Sequence, residues 1–475
     1  MIHERYEMVV GLEVHVQLRT KTKAFCRCAT AFGAAPNVNT CPVCLALPGA
    51  LPVLNARAVE LATRAALALG CTVHGESIFA RKNYFYPDLP KGYQITQFDR
   101  PLATGGAVRL GDTREIAITR IHMEEDAGKS VHDRFAGFTA IDLNRAGVPL
   151  VEIVSEPDIR SSSEAAAFLH ALREILVYAG VSDCSMEEGS LRVDANVSAR
   201  PRGESTLRTR TEIKNLNSFS NAERAIEHEF ARHCAAYDAD DVVVQQTMLY
   251  DDRADAVRSA RSKEESHDYR YFPEPDLPPL LLDREYVERV RNGLPEFPAA
   301  RRARYVRDLQ ICPAEADVLT ADRDRGDYFE AVANLAKDAK TAANWVIGEV
   351  MVASNADPEA AKSVSPQRLA DLIGLVAEGI VSNTAAKKIY GVMTHTADAA
   401  RTIAEREGLL QVGDEAALIA WISEVFAENP AEADRFIGGE TRLQGVLVGL
   451  VMKKSKGRAD PKKVNQLISD RAAGR

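Results

Sequence analysis

No stretch of this 475-residue sequence reaches 18 uninterrupted apolar residues, which excludes a bilayer-spanning helix of ordinary length. The first sixteen residues mix acids and histidines with valines and lack an apolar h-region, so no secretory signal is predicted and we expect a soluble, cytosolic chain with no membrane partner. Cysteine is scarce: eight in a chain of this length are too few for a disulfide scaffold. A basic excess is missing as well. The formal charge of −9 excludes a surface that holds nucleic acid everywhere and leaves room only for a local basic patch. There is no G-x-x-x-x-G-K-[ST] phosphate loop and no G-x-G-x-x-G dinucleotide turn, so any nucleotide has to bind by another geometry. What remains is an ordinary globular composition, in a chain long enough for two to four domains.

The most informative stretch runs from Ala117 to Pro157, AITRIHMEEDAGKSVHDRFAGFTAIDLNRAGVPLVEIVSEP. It sets Glu124, Glu125, Asp126, Asp142, Glu152 and Glu156 among short apolar strands. Carboxylates brought together repel one another unless protons, basic partners or a hard cation offset them, and an oxygen-rich site of this kind suits magnesium holding a substrate's phosphates. A solvated sheet edge is the plainer alternative.

Strand parity bears on that choice. In Val10 to Leu18 (VGLEVHVQL) Leu12, Val14 and Val16 alternate with Glu13, His15 and Gln17, so a carboxylate and an imidazole share one face. Leu191 to Ser198 turns Arg192, Asp194 and Asn196 to one side, and Leu207 to Lys214 does the same with Arg208, Arg210, Glu212 and Lys214. If these strands neighbour one another in one antiparallel sheet, one face packs on helices and the other is a floor of acids and bases. The expected class is α+β.

Four of the cysteines crowd together in Phe25 to Leu47. Cys26-x-Cys28 and Cys41-x-x-Cys44 are two ligand pairs that fit a tetrahedral, structural zinc (Zn2+) knuckle over residues 26–44, closed to substrate. Buried free thiols are the alternative, and Cys71, Cys184, Cys234 and Cys312 stand isolated. Ala56 to Leu69 is an amphipathic helix stopped by Gly70. Arg81 to Gln97, RKNYFYPDLPKGYQITQ, reads as an ordered loop whose lysines suit anionic phosphates, the alternative being an ordinary loop anchored by its aromatics.

Beyond DLPPLLL the pattern is helical, with i, i+3, i+4 apolar recurrence and capping residues in Tyr328 to Ser354, Pro366 to Glu378 and Asn383 to Thr394. The end is basic. From Met452 onward there are eight lysines or arginines against two aspartates, a pattern that serves phosphate-backbone contact or simple solubility. Gly445-x-x-x-Gly449 lies in too short an apolar run for a membrane helix and reads as close helix packing.

Taken together, GLEVHVQL, CPVCLALPGALPVLN, RKNYFYPDLPKGYQI, IHMEEDAGK, DLNRAGVPLVEIVSEPD, EIKNLNSF and RSKEESHDYRYFPEPDLPPL resemble the GatB/GatE family, B subunits of tRNA-dependent amidotransferases. The resemblance is dense over Glu7 to Leu281 and looser beyond. It implies an antiparallel catalytic cradle similar to glutamine synthetase and guanido kinases over 1–294, a helical domain over 295–404 and a YqeY-like, tRNA-binding tail over 405–475. It also implies a reaction: ATP phosphorylates the side-chain carboxylate of a misacylated glutamyl-tRNA(Gln) or aspartyl-tRNA(Asn), and ammonia displaces the phosphate. A carboxylate is a poor acyl donor, and an acyl phosphate is a good one.

Carried onto this sequence, the resemblance makes Glu13, His15, Glu125, Glu152 and Asp194 the groups for Mg2+ and ATP phosphates, with Glu212 beside them. Lys82, Arg192 and Lys214 would stabilise charge, and Lys453, Lys454, Lys456, Arg458, Lys462 and Lys463 would meet tRNA. No Ser-rich amidase core or Cys/His glutaminase motif is present, so ammonia is expected from a partner amidase, the A subunit, with a small C subunit completing a heterotrimer. Three other readings stay open: a zinc-containing module that only positions tRNA, a two-metal nuclease using the same acids, and the related archaeal GatE, whose large inserted domain is not found here.

Overall fold

Tyr6–Gln17 (β1) is the middle of the main sheet, and its alternation reappears as burial: Val10, Leu12, Val14 and Val16 are buried while Glu13, His15 and Gln17 are half-buried on the other face. Phe79–Asn83 (β2) and Tyr93–Gln97 (β3) pair antiparallel as a hairpin, so both arms of the stretch expected to be a loop are strands. The aromatics and prolines between them hide an alternation that only the flanks carry. The other long strands are Arg114–Glu125 (β4), Pro149–Ser155 (β5), Leu191–Pro201 (β6), Thr211–Leu216 (β7), Thr247–Asp251 (β8) and Ala256–Ser259 (β9). The computed structural model describes residues 2–111, 113–260, 269–411, 414–455 and 457–472.

In space the main sheet runs β9-β8-β7-β6-β1-β5-β4, and Ala103–Thr104 and Thr72–Val73 continue it past β4. The pairings along that path are antiparallel except β7 with β8, which run parallel. The expected antiparallel sheet is therefore mixed. A parallel pair needs a long crossover, and here a 20-residue helix fills it.

That helix, Phe219–Asp238, joins Ala56–Ala68 and Ser162–Tyr178 in covering the apolar face of the sheet. Each begins at a polar cap that accepts a backbone N–H, from Asn55, Ser161 and Ser218, satisfying donors the helix cannot pair itself. Gly70 stops the first in the left-handed region at φ 71°. Val14, Val16, Val151, Ile153, Val193 and Ala195 from the strands meet Leu61, Ala65, Phe168, Leu172, Ile226 and Phe230 from the helices in one core. Cys71, Cys184 and Cys234 are buried there, and burial pushes their thiols up to about 12, 12 and 11, away from reactivity.

The chain divides into a unit Met1–Phe297, which holds this sheet, and a helical unit Pro298–Arg475. Among its described residues the second has two apolar clusters. One gathers Tyr305, Phe329, Leu369 and Ile389, with Leu409 and Leu410 packed against it; the other gathers Leu418, Ile422, Phe436, Leu447 and Ile468. The predicted Tyr328 to Ser354 helix is broken: Arg323–Ala336 ends at Lys337 with φ 54°, and Asp338 caps a new start. Gly445 and Gly449 face open space on Gln444–Lys454, so close helix packing at these glycines is not observed. Among the described residues no helix is long and apolar enough to cross a membrane.

Candidate functional site

Antiparallel pairing turns the polar parity of single strands into rows, because directly opposed residues share a face. His15 opposes Glu152 on one side and Arg192 on the other, and Glu152 opposes His122 in turn. One step along, Glu13 opposes Asp194, and on the next pair Asn196 opposes Glu212. His15 Nε2 lies 3.2 Å from a Glu152 oxygen, and His122 Nε2 lies 3.2 Å from Glu124 and 3.6 Å from Glu152. One donor atom from each of His15, Glu124 and Glu152 falls within a 4.8 Å span, close enough for a single cation.

Glu124, not Glu125, is the neighbour of His15 and Glu152. Ile121 and Met123 of β4 are buried towards the helices, so His122 and Glu124 project to the polar face and Glu125 to the opposite one. There the Glu125 carboxylate accepts from Lys91 Nζ and, at 3.0 Å, from the Ile95 N–H. It lines a small space with Lys23, Phe25, Cys26 and Cys44. Glu124 instead accepts from Thr96 Oγ1 at 2.7 Å and Gln94 Nε2 at 3.0 Å, both on β3.

The other acids of the central stretch part company. Asp126 is buried and accepts from Gln17 at 2.7 Å and Arg192 at 2.9 Å. Asp142 clasps the cysteine loop, accepting from the Asn37 N–H at 3.2 Å, and Glu156 accepts from Thr119 Oγ1 at 2.8 Å. Lys214 Nζ bridges Asp194 and Glu212 at 2.8 and 2.9 Å, so both predicted acids carry a cation already. Leu207 to Arg210 precede β7 rather than belonging to it. With Gly11, Glu13 and Asn196 they border a cavity of about 350 Å³, within the range of small-molecule sites.

These contacts set the charges. Burial pushes the Glu124 and Glu152 carboxyls up, but the imidazoles of His122 and His15 outweigh it and hold both below the usual carboxylate range. Glu13 goes the other way, raised by burial first and then by the charges of Glu152 and Glu212. Burial would lower Lys82 and Lys214, yet Glu124 and Asp194 respectively lift them above an ordinary lysine. The polar face thus presents ionised carboxylates to anything cationic, with fixed ammonium groups beside them.

The cysteine quartet comes together as a separate centre. Cys44 Sγ lies 3.7, 3.8 and 3.9 Å from the sulfurs of Cys26, Cys41 and Cys28. Four sulfurs about 2.3 Å from one ion at tetrahedral angles are about 3.8 Å apart, so the donor set fits zinc. Asn144 closes the loop by donating to Ala35 O at 2.8 Å. Lys23, fully buried, donates to Cys44 Sγ at 3.3 Å and to Leu143 O at 3.1 Å.

The basic tail is less uniform than its composition. Lys453 and Lys454 end one helix, Lys462 and Lys463 begin another, and Arg458 sits 5.9 Å from the centre of the Trp421 ring. Lys454 is neutralised by Glu424 at 2.8 Å and Glu428 at 2.5 Å. Lys456 lies outside the described residues. Three residues that organise these sites do not stand out in the sequence: His122, Glu124 as distinct from its neighbour, and Lys23. The parity of Ile121 and Met123 is the signal that finds the first two, and nothing local marks Lys23; Lys91, whose stretch was expected to offer lysines to phosphates, meets Glu125 instead.

Comparison with known proteins follows the same division. The GatB/GatE catalytic domain matches residues 8–288, and the GatB domain matches residues 327–471. The B subunit of the aspartyl/glutamyl-tRNA(Asn/Gln) amidotransferase of Prosthecochloris aestuarii is 52% identical over 471 residues, 98% of each chain. The proteins of that name from Chlorobium limicola and Trichlorobacter lovleyi are 52% and 50% identical over 475 residues, covering 99% of this chain and all of theirs.

Proposed function

The chain belongs to the GatB/GatE family, and on that premise we propose that it performs the activation and amidation steps of a tRNA-dependent amidotransferase. Its substrate is glutamyl-tRNA(Gln), aspartyl-tRNA(Asn) or both. The observation that carries this reading is the convergence of His15, Glu124 and Glu152 beside a cavity bordered by Arg208 and Arg210.

In the first step an oxygen of the amino acid's side-chain carboxylate attacks the γ-phosphorus of ATP, and ADP leaves. In the second, ammonia attacks the acyl carbon, the bond from that carbon to the phosphate oxygen breaks, and one proton passes from the nitrogen to the departing phosphate, which leaves as hydrogen phosphate. A divalent cation, Mg2+ in this proposal, would be held by His15, Glu124 and Glu152 and would offset phosphate charge. Arg208 and Arg210 lie where they suit a polyphosphate, and Lys82 and Lys214 supply cations next to the two ends of the acid row. Positioning and charge stabilisation carry most of such a reaction, so no single general base is required. Asp194 and Glu212 act through Lys214, and Arg192 through Asp126, as positioning groups.

Ammonia comes from a partner amidase, the A subunit, and a small C subunit completes the assembly. The catalytic cradle takes residues 1–294, a helical domain 295–404 and a YqeY-like tail 405–475, whose basic residues meet tRNA. The cysteine centre holds structural zinc. The test is a pattern of rescue in the reconstituted complex. With Glu152→Gln, glutamyl-tRNA still binds, ATP turnover collapses and ammonium salts do not restore product, whereas ammonium does rescue an intact chain beside an inactivated amidase. Ammonium-driven, ATP-dependent amidation by Glu152→Gln would refute the assignment. A non-catalytic module predicts no tRNA-dependent ATP turnover, and a nuclease predicts cut RNA.

A further inference from the structure

Along one side of the carboxylate cluster runs a line of aromatic rings that the activation chemistry leaves unused. Tyr84 meets Tyr269 edge-on with centroids 6.2 Å apart, and Tyr269 meets Tyr271 at 6.0 Å. Phe98 then lies flat on Tyr271, centroids 4.0 Å apart and planes within 2°. Lys82 ties the line to the cluster. Its ammonium is 4.9 Å from the centre of the Tyr269 ring, and the charges of Glu124 and Glu152 act on both Lys82 and Tyr271. The far end is open: Phe98 is 47% exposed, so this flat pair leaves ring surface in water beside a charged site.

Chemistry dictates what must lie near the cluster. The amino acid is esterified to the ribose of the tRNA's last nucleotide, so roughly nine bonds of about 1.5 Å separate its side-chain carboxyl from the terminal base, about 10 Å in a bent chain. Whatever holds the carboxylate at the cluster brings that base to its rim. We propose that Tyr271 and Phe98, backed by Tyr269, receive the 3′-terminal adenine of the misacylated tRNA by stacking. A π-face accepts a base without reading it, which suits an end common to all tRNAs. The adenine of ATP is the competing occupant, but the cavity at Glu13, Arg208 and Arg210 offers ATP a place of its own.

The inference rests on the proposed function. Its test uses the full complex and glutamyl-tRNA ending in 2-aminopurine, whose fluorescence falls when the base stacks. Binding is expected to quench it. Tyr271→Ala and the more exposed Phe98→Ala should each weaken the quench and raise KM for aminoacyl-tRNA about tenfold, with KM for ATP moving less than twofold. Tyr271→Phe, which keeps the ring, should restore both. Amidation without quenching in the unaltered complex overturns the stacking proposal and spares the function. A rise in KM for ATP alone also overturns it, assigning the rings to the nucleotide. A complex that neither hydrolyses ATP nor amidates sinks both.

Discussion

Adjacent residues on one strand are predicted to fail in opposite ways. Glu125 is 3% exposed, and its carboxylate serves the Lys91 ammonium and the Ile95 N–H. Breaking a buried ion pair costs about 3–5 kcal/mol; glutamine keeps one acceptor oxygen, so Glu125→Gln should cost roughly 2–3 kcal/mol and lower the melting temperature by about 5–10 °C. Its folded fraction should keep tRNA-dependent ATP turnover. Glu124→Gln is the reverse case. Glutamine keeps one oxygen for the Thr96 hydroxyl, while the Gln94 amide, which donates to the other carboxylate oxygen, loses its acceptor; one repulsion with Glu152 is relieved, so stability should fall by about 1–2 kcal/mol. Loss of a charge facing the cation site should cut turnover by roughly a hundredfold or more. Melting curves and ATP hydrolysis by the reconstituted complex with glutamyl-tRNA read both quantities. Should Glu125→Gln abolish turnover at an unchanged melting temperature while Glu124→Gln stays active, the face assignment of β4 is wrong.

The purified chain should carry about one zinc per molecule, lost in Cys41→Ser and Cys44→Ser, and elemental analysis checks it. Lys23→Met, which leaves the thiolates without the ammonium at Cys44, should release metal to a chelator roughly 10–100-fold faster, and an unchanged rate would show that Lys23 only fills space. Glu229 is buried against His233, Arg232 and Thr211, and although burial opposes it, these donors hold its carboxyl down to about 2 from an ordinary 4.5. A depressed carboxyl stabilises above its unfolded value and loses that contribution as pH falls towards the folded one. Glu229→Gln should therefore be less stable by roughly 3 kcal/mol at pH 7, with the gap closing between about pH 4.5 and 2 in acid unfolding curves; a gap independent of pH would refute it. In the tail, reversing Lys453 or Lys462 should flatten the salt dependence of tRNA binding by about 0.9 in slope for each phosphate no longer neutralised. Lys454→Glu, which meets Glu424 and Glu428, should instead lower the stability of the helical unit, and identical behaviour of all three would contradict the pairing.

The cysteine spacing announced the four-sulfur cluster because closing a short loop is a local property: two pairs of cysteines twelve residues apart can meet without help from the rest of the fold. The helices behaved similarly, since caps at Asn55, Ser161, Ser218, Ser365 and Ser382 act within one turn. Strand parity in β1 and β6 was also readable, because a period of two survives whatever lies next door. It failed at Leu207 to Arg210, where basic residues alternate convincingly but Leu207 is 56% exposed and, among the described residues, no partner strand runs alongside.

Register and pairing partners are another matter, and the acid cluster depends on both. Six of the acids within Ala117 to Pro157 looked like one site because they are close in sequence, yet a strand sends neighbours to opposite faces, and loops carry others elsewhere. Asp142 ended on the cysteine loop, Glu125 on Lys91, and Asp126 on Arg192, whereas His15 came from a strand far earlier in the chain to meet Glu152. Applying to β4 the parity test that worked on β1 separates Glu124 from Glu125, since Ile121 and Met123 mark its buried side. What no such test reaches is the assignment of counter-charges. Lys214 was expected to stabilise charge and Lys91 to meet phosphate, Lys23 is an ordinary lysine in the sequence, and only the folded chain turns each towards a thiol or carboxylate that would be costly to leave alone. Charge balance, unlike periodicity, is a property of the assembled site, which is why the cysteine quartet and the polar face of β1 were easier to read than the groups that hold them in place.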